Sequence, residues 1–124
     1  MRRYRVLAFS FDTRAVMLST EIQESWQEQV KAQWLINKSR IREGLIHEFG
    51  ASWHEQKIKN FIDLGANPIS LLAFHNEFLK QCRDSFVLGG YYPALVSACT
   101  LGERILNRLI LHLRDYFKST PQYK

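Results

Sequence analysis

The amino-acid sequence predicts an all-α protein, an antiparallel helical bundle of about four helices with one short N-terminal strand. Three observations predict it. Apolar residues recur at helical spacing over most of the chain. Glycine stops at Gly50, Gly65 and Gly89-Gly90 divide the chain into helix-length pieces. Thr20 with Gln23, and Ser52 with Glu55, have the spacing of capping boxes, in which the side chains at either end of a helix's first turn satisfy its free N–H groups.

The strand is expected over residues 3–11. Arg5, Leu7, Phe9 and Phe11 fall on one side and Tyr4, Val6, Ala8 and Ser10 on the other, with the β-branched and aromatic content that pleated structure favours. No second strong strand candidate follows, so this one is expected to pair with another protomer or with a segment outside the chain.

The first helix is expected over 21–49, with Ile22, Trp26, Val30 and Trp34 recurring every four residues and Ile41, Leu45 and Phe49 continuing the apolar side. The second runs over 52–64 through Ile58, Phe61 and Ile62. The third, over 69–88, follows the Asn67-Pro68 turn and gathers Leu71, Leu72, His75, Phe78, Leu79, Cys82 and Phe86 on one face. The fourth, over 92–118, opens at Tyr91-Tyr92-Pro93, where proline suits a first turn. Its stripe of Leu95, Cys99, Gly102, Leu106, Leu109 and Leu113 reads as a core face. Gly102 within it predicts a close approach to the third helix near Phe78, Cys82 or Phe86. The short connection at 89–92 makes the last two helices antiparallel neighbours, and residues 119–124 read as a loop.

Composition sets the outer limits. A chain of 124 residues with 46% hydrophobic and 13% aromatic content suits one domain with a real core and argues against disorder. The net charge of +5 is spread among mixed signs, densest at Arg2, Arg3, Arg5 and Arg14, and reads as an ordinary basic surface rather than a nucleic-acid footprint. Cys82 and Cys99 lie far apart and are expected to be reduced and buried. No short-spaced Cys/His pair or His/His spacing suggests a metal, and no cofactor motif occurs. No apolar run is long enough for a membrane span. The opening arginines and apolar residues are cut short by Asp12 and Arg14, without a cleavage site, so the cytoplasm is the expected location.

Few residues invite chemistry. Glu103 stands on a helix that is apolar on most sides, where a carboxylate must be paired or lie at the rim; a structural ion pair is expected. A lone carboxylate without a second acid, base or metal ligand has no identifiable catalytic use, and no catalytic residue is assigned. Arg104, Arg108 and His112, four apart, form one stripe that would suit phosphates weakly, although a solvated face gives the same pattern. His75 reads as a hydrogen-bonded core histidine.

The segment 85–110, SFVLGGYYPALVSACTLGERILNRLI, resembles the central helix pair of HEPN-type domains through Phe86, Gly90, Tyr91, Ala94, Ala98, Glu103 and Leu106. With the third helix included, the resemblance covers roughly a third of the chain. It implies a helical bundle, often dimeric, in proteins that include ribonucleases of bacterial toxin and defence systems. Activity in that superfamily depends on an R-x4-6-H motif in a late helix. Arg42 and His47 have the bare spacing but lie in the first long helix, before the similar hairpin. Arg108 and His112 are separated by only three residues. The expectation is therefore a non-catalytic interaction module, the front part of a longer HEPN-like protein. The alternative is a ribonuclease whose motif helix is missing from this chain or replaced by an unusual site. Apolar residues of the fourth helix outside its main stripe, Val96, Leu101, Ile105, Ile110 and Leu111, need cover, which favours a homodimer through that helix or cover by another protein, and any RNA binding should be weak and salt-sensitive.

Overall fold

The computed structural model describes the backbone of residues 7–118 and, within that range, the side chains of all but 7–10, 68–74 and 115–116. In order, the elements are β1 (Leu7–Asp12), α1 (Arg14–Ser19), α2 (Glu28–Phe49), α3 (His54–Leu64), β2 (Asn67–Leu72), α4 (Ala73–Val87) and α5 (Tyr91–Phe117). The protein is a helical bundle, and its strands form one small antiparallel pair at the edge. Residues 3–6 of the expected strand and the expected loop at 119–124 lie outside the described residues.

β1 finds its partner within the chain, not in another molecule. It pairs with β2 in the register Leu7 to Leu72, Ser10 to Ser70 and Asp12 to Asn67, with shifts between these pairs. The sequence reading gave 69–72 to a helix because Leu71 and Leu72 fit its apolar period. Pro68 works against that start: the residue before a proline is pushed towards extended backbone, and an edge strand tolerates the missing N–H. β1 supplies the ladder, and the helix begins only at Ala73.

α1 was not expected. A turn at Asp12 starts it: the carboxylate accepts the backbone N–H of Arg14 at 2.9 Å. Its far end is closed from a distance, because Lys38 of α2 donates to the carbonyls of Leu18 at 3.0 Å and Thr20 at 2.5 Å, the favourable place for a cation at a helix C-terminus. Thr20 is therefore no N-cap. Its hydroxyl donates to the Val16 carbonyl at 2.7 Å, and α2 starts at Glu28 instead. The second expected box fails as well: Trp53 precedes α3 in a left-handed conformation, no side chain caps the helix, and Glu55 pairs with Arg42 at 2.7 Å. The glycine stops hold, with Gly50, Gly65 and Gly89 all at positive φ.

The core lies where α1, the end of α2, α3 and the end of α4 meet. Ala15, Leu45, Ile58, Phe61 and Val87 form it, with Ile41, Phe49 and Ile62 packed against it. The N-terminal part of α2 is less covered: Trp26 and Trp34 meet edge to face with ring centres 5.3 Å apart, but Val30 is exposed. Asn60 is buried on the other side of α3. Its amide nitrogen donates to the Phe86 carbonyl at 3.2 Å and the Val87 carbonyl at 3.3 Å, and lies 3.1 Å from the Tyr91 hydroxyl. Gln56 donates to its oxygen at 2.9 Å. This one side chain closes the end of α4 and ties the α4–α5 turn to α3.

α5 packs on α4 through Ala94 and Leu101, which are buried, and Cys82 of α4 donates its thiol to the Ala94 carbonyl at 3.1 Å. Gly102 makes no close approach. A Cβ built on it meets nothing within 4 Å, so a larger residue there would not overpack the protomer. The close contact in the hairpin falls at Ala94, just over two turns before Gly102 and about 80° round the helix from it.

Candidate functional site

Two regions concentrate features that could carry function. The first is a cavity of about 150 Å³ where β1, α1, α2, α3 and α4 converge, lined among others by Asp12, Arg14, Glu48, Lys80, Arg83 and Asp84. Arg14 is its centre. It bonds Asp12 at 2.7 Å and Glu48 at 2.9 Å and lies over the Phe61 ring, 5.2 Å from its centre. The hydrogen bonds to Asp12 and then to Glu48 raise its affinity for its proton above the ordinary value, against the effect of burial. Burial works against the Asp12 carboxylate, but the hydrogen bonds and charge of Arg14, together with the charge of Arg83, outweigh it and hold the carboxyl below its usual range. Lys80 pairs with Asp84 along α4. Arg83, its guanidinium pushed down chiefly by burial, donates to the Gly65 carbonyl at 2.8 Å at the end of α3.

Arg14 with Asp12 and Glu48, Lys80 with Asp84, and Arg83 on a carbonyl thus each have a partner, and the six charges sum to zero. The cavity's chemistry is that of a lock between elements. The sign of its pH dependence follows from Asp12. A carboxyl depressed in the folded state contributes stability that is present above its unfolded pKa and is lost as pH falls through the lower folded value. Acid titration of thermal stability should therefore show a loss below the ordinary aspartate range that is smaller in Asp12→Asn; identical acid limbs for the two proteins would mean that the pair contributes nothing.

The second region is α5. Beyond Leu101 every described side chain from Glu103 to Arg114 is exposed. Tyr92 is 78% exposed, Leu95 62%, Leu106 60%, Leu109 49% and Ile110 64%, and Phe117 is exposed as well. At about 100° per residue, Leu95, Cys99, Gly102, Leu106, Leu109 and Leu113 lie on one side of α5, while Ala94 and Leu101 face α4 from a different side. The stripe read as a core face is therefore the uncovered one. Cys99, expected to be buried, is exposed with it; Cys82 is buried as expected, and burial pushes its thiol up.

The remaining expected residues are placed as follows. Arg104, Arg108 and His112 stand side by side and border an open depression with Glu103, Asn107 and Leu111, all from α5 alone. Glu103 is exposed and forms no ion pair among the described residues. Arg42 and His47 are not brought together: five residues apart on α2 they point about 140° from each other, and Arg42 is engaged by Glu55. His54 donates Nδ1–H to the Ala51 carbonyl, 3.0 Å away, and His47 is exposed. Among the described residues no group of His, Cys, Asp or Glu could hold a metal ion, and no helix is long and apolar enough to cross a membrane. Sequence reasoning missed Asp12, Arg14 and Asn60, which no local motif marks. The chain matches no family model, no curated protein and no solved structure.

Proposed function

We propose that the protein is a non-catalytic helical interaction module whose working surface is the uncovered side of α5. One observation carries this reading: a 27-residue helix leaves Leu95, Cys99, Leu106, Leu109 and Leu113 of its main apolar stripe exposed. With the four leucines and the flanking Tyr92 and Phe117 each presenting on the order of 100 Å², the stripe amounts to about 600 Å², the lower end of what one partner contributes to a standard protein interface and the upper end of the largest patch on most monomers. The stripe is suited to another helix, which would bury leucines and Phe117 in the way a bundle core does.

The resemblance of residues 85–110 to the HEPN-type hairpin agrees with such a role, in which the module belongs to a larger assembly of a bacterial defence or toxin system acting in the cytoplasm. Arg104, Arg108 and His112 stand on the polar side of α5. They add a weak, salt-sensitive affinity for RNA at most, since one exposed helix face without a groove presents few phosphate contacts. Arg42 is tied to Glu55 and stands away from His47, which speaks against this pair as a ribonuclease site.

A photo-crosslinking residue at Leu109, compared with one at exposed Ala32 of α2, tests the docking face in cells. A discrete adduct from position 109 and none from position 32 is the expected result. No adduct from position 109, or equal smears from both, overturns the reading.

A further inference from the structure

The uncovered stripe has a period that specifies its partner. Leu95, Cys99, Gly102, Leu106, Leu109 and Leu113 are spaced four, three, four, three and four apart, the alternation of a helix seam that packs against another helix along its length. α5 runs from Tyr91 to Phe117, so residue 104 is its midpoint. Resting on the reading of α5 as the docking face, we propose that its occupant is α5 of a second copy of this chain, antiparallel and related by a two-fold axis near residue 104.

The argument is one of shape. In an antiparallel pair about residue 104, opposing residues have numbers that sum to 208. Leu95 then faces Leu113 of the second copy, Cys99 faces Leu109, and Gly102 faces Leu106. Every seam residue has one partner, and each of the two small ones meets a leucine, so the layers interdigitate without a void. A parallel pair would set Gly102 against Gly102 and Cys99 against Cys99, leaving a gap in the middle of the seam. Gly102 has open space around its Cβ position within the protomer, so the place a leucine would enter is free. The two-fold arrangement also overlaps the full helix, so that both copies' stripes are covered and none is left over. α4 packs on a side turned about 110° from the stripe, at Ala94 and Leu101, and leaves the stripe's leucines exposed.

Cysteine chemistry reads the register directly. A disulfide needs Cα atoms within about 7 Å. In the antiparallel pair the two Cys99 residues stand ten positions apart along the seam, about 15 Å of helix, so oxidation of the purified wild-type chain should give no Cys99 disulfide. In a Cys99→Ala background, a Leu95→Cys chain mixed with a Leu113→Cys chain should form a disulfide-linked dimer, while neither chain alone should do so. Light scattering should show a dimer for the wild type, and Leu106→Glu with Leu109→Glu should weaken association by on the order of a hundredfold with an unchanged circular dichroism spectrum, since both positions are exposed in the protomer.

A Cys99 disulfide in the wild type, or a dimer formed by Leu95→Cys alone, means parallel or shifted helices and overturns the proposal. So does a monomer at high protein concentration. In that case a Leu109 photo-adduct whose mass is not twice that of the chain leaves the docking face standing with a different protein as its partner, whereas the loss of the adduct as well removes both readings.

Discussion

Replacing Phe61 by alanine is expected to lower the unfolding free energy by about 3–5 kcal/mol, the range for removing a buried aromatic ring. Phe61 is 4% exposed and sits among Ala15, Leu45, Ile58 and Val87, which come from four different helices. Its ring lies 6.3 Å from that of Phe49 and carries the Arg14 guanidinium on its face. The substitution therefore opens a cavity where α1, α2, α3 and α4 meet and removes the surface on which Arg14 rests. A domain of this size is stable by about 5–15 kcal/mol in all, so the variant should melt far earlier or be partly unfolded. Urea unfolding of the variant against wild type measures it, with Phe61→Leu as the milder comparison. A loss below about 1 kcal/mol would mean that the helices close over the gap, and that the convergence of elements at Phe61 is loose.

The second large effect belongs to its neighbour. Asn60→Ala should cost about 2–3 kcal/mol, close to 10 °C in melting temperature for a chain of this length. The amide serves the Phe86 and Val87 carbonyls and lies beside the Tyr91 hydroxyl; without it these groups are left short of partners in a buried place. The edge-to-face contact of Phe86 and Tyr91, with ring centres 5.1 Å apart, holds the same turn. The loss should be local first: amide exchange should speed up over residues 87–94 before the core of α3 responds. Uniform acceleration across the whole protein would show that Asn60 supports only global stability. Because this turn sets the angle at which α5 leaves the bundle, the variant should also weaken any association made through α5.

Local chemistry made much of the fold legible. Gly50, Gly65 and Gly89 end their helices because a left-handed residue stops a helix wherever it stands, and the apolar periods of α3 and α5 follow from the turn of the helix itself. The all-helical class, the α4–α5 hairpin and the existence of a strand near residue 7 came from such short-range rules.

What those rules missed depends on contacts between distant residues. α1 has only six residues, too few for a period, and it stands because Asp12 starts it and Lys38 closes it from α2. β2 exists because β1 was available to pair with it, and Pro68 then tipped residues 67–72 away from the helix their leucines suggested. Both capping boxes had the right letters, but Thr20 and Glu55 found better partners in Val16 and Arg42.

α5 divides the two sources of information most sharply. Its sequence determined that it is a helix with an apolar stripe at Leu95, Cys99, Gly102, Leu106, Leu109 and Leu113. The tertiary structure decided that α4 covers a different side, at Ala94 and Leu101, and that the stripe looks outward. A period fixes the angles between side chains on one helix. It carries no information about which neighbour arrives, or from which side, and on that choice rests whether an apolar stripe is a core or a docking face.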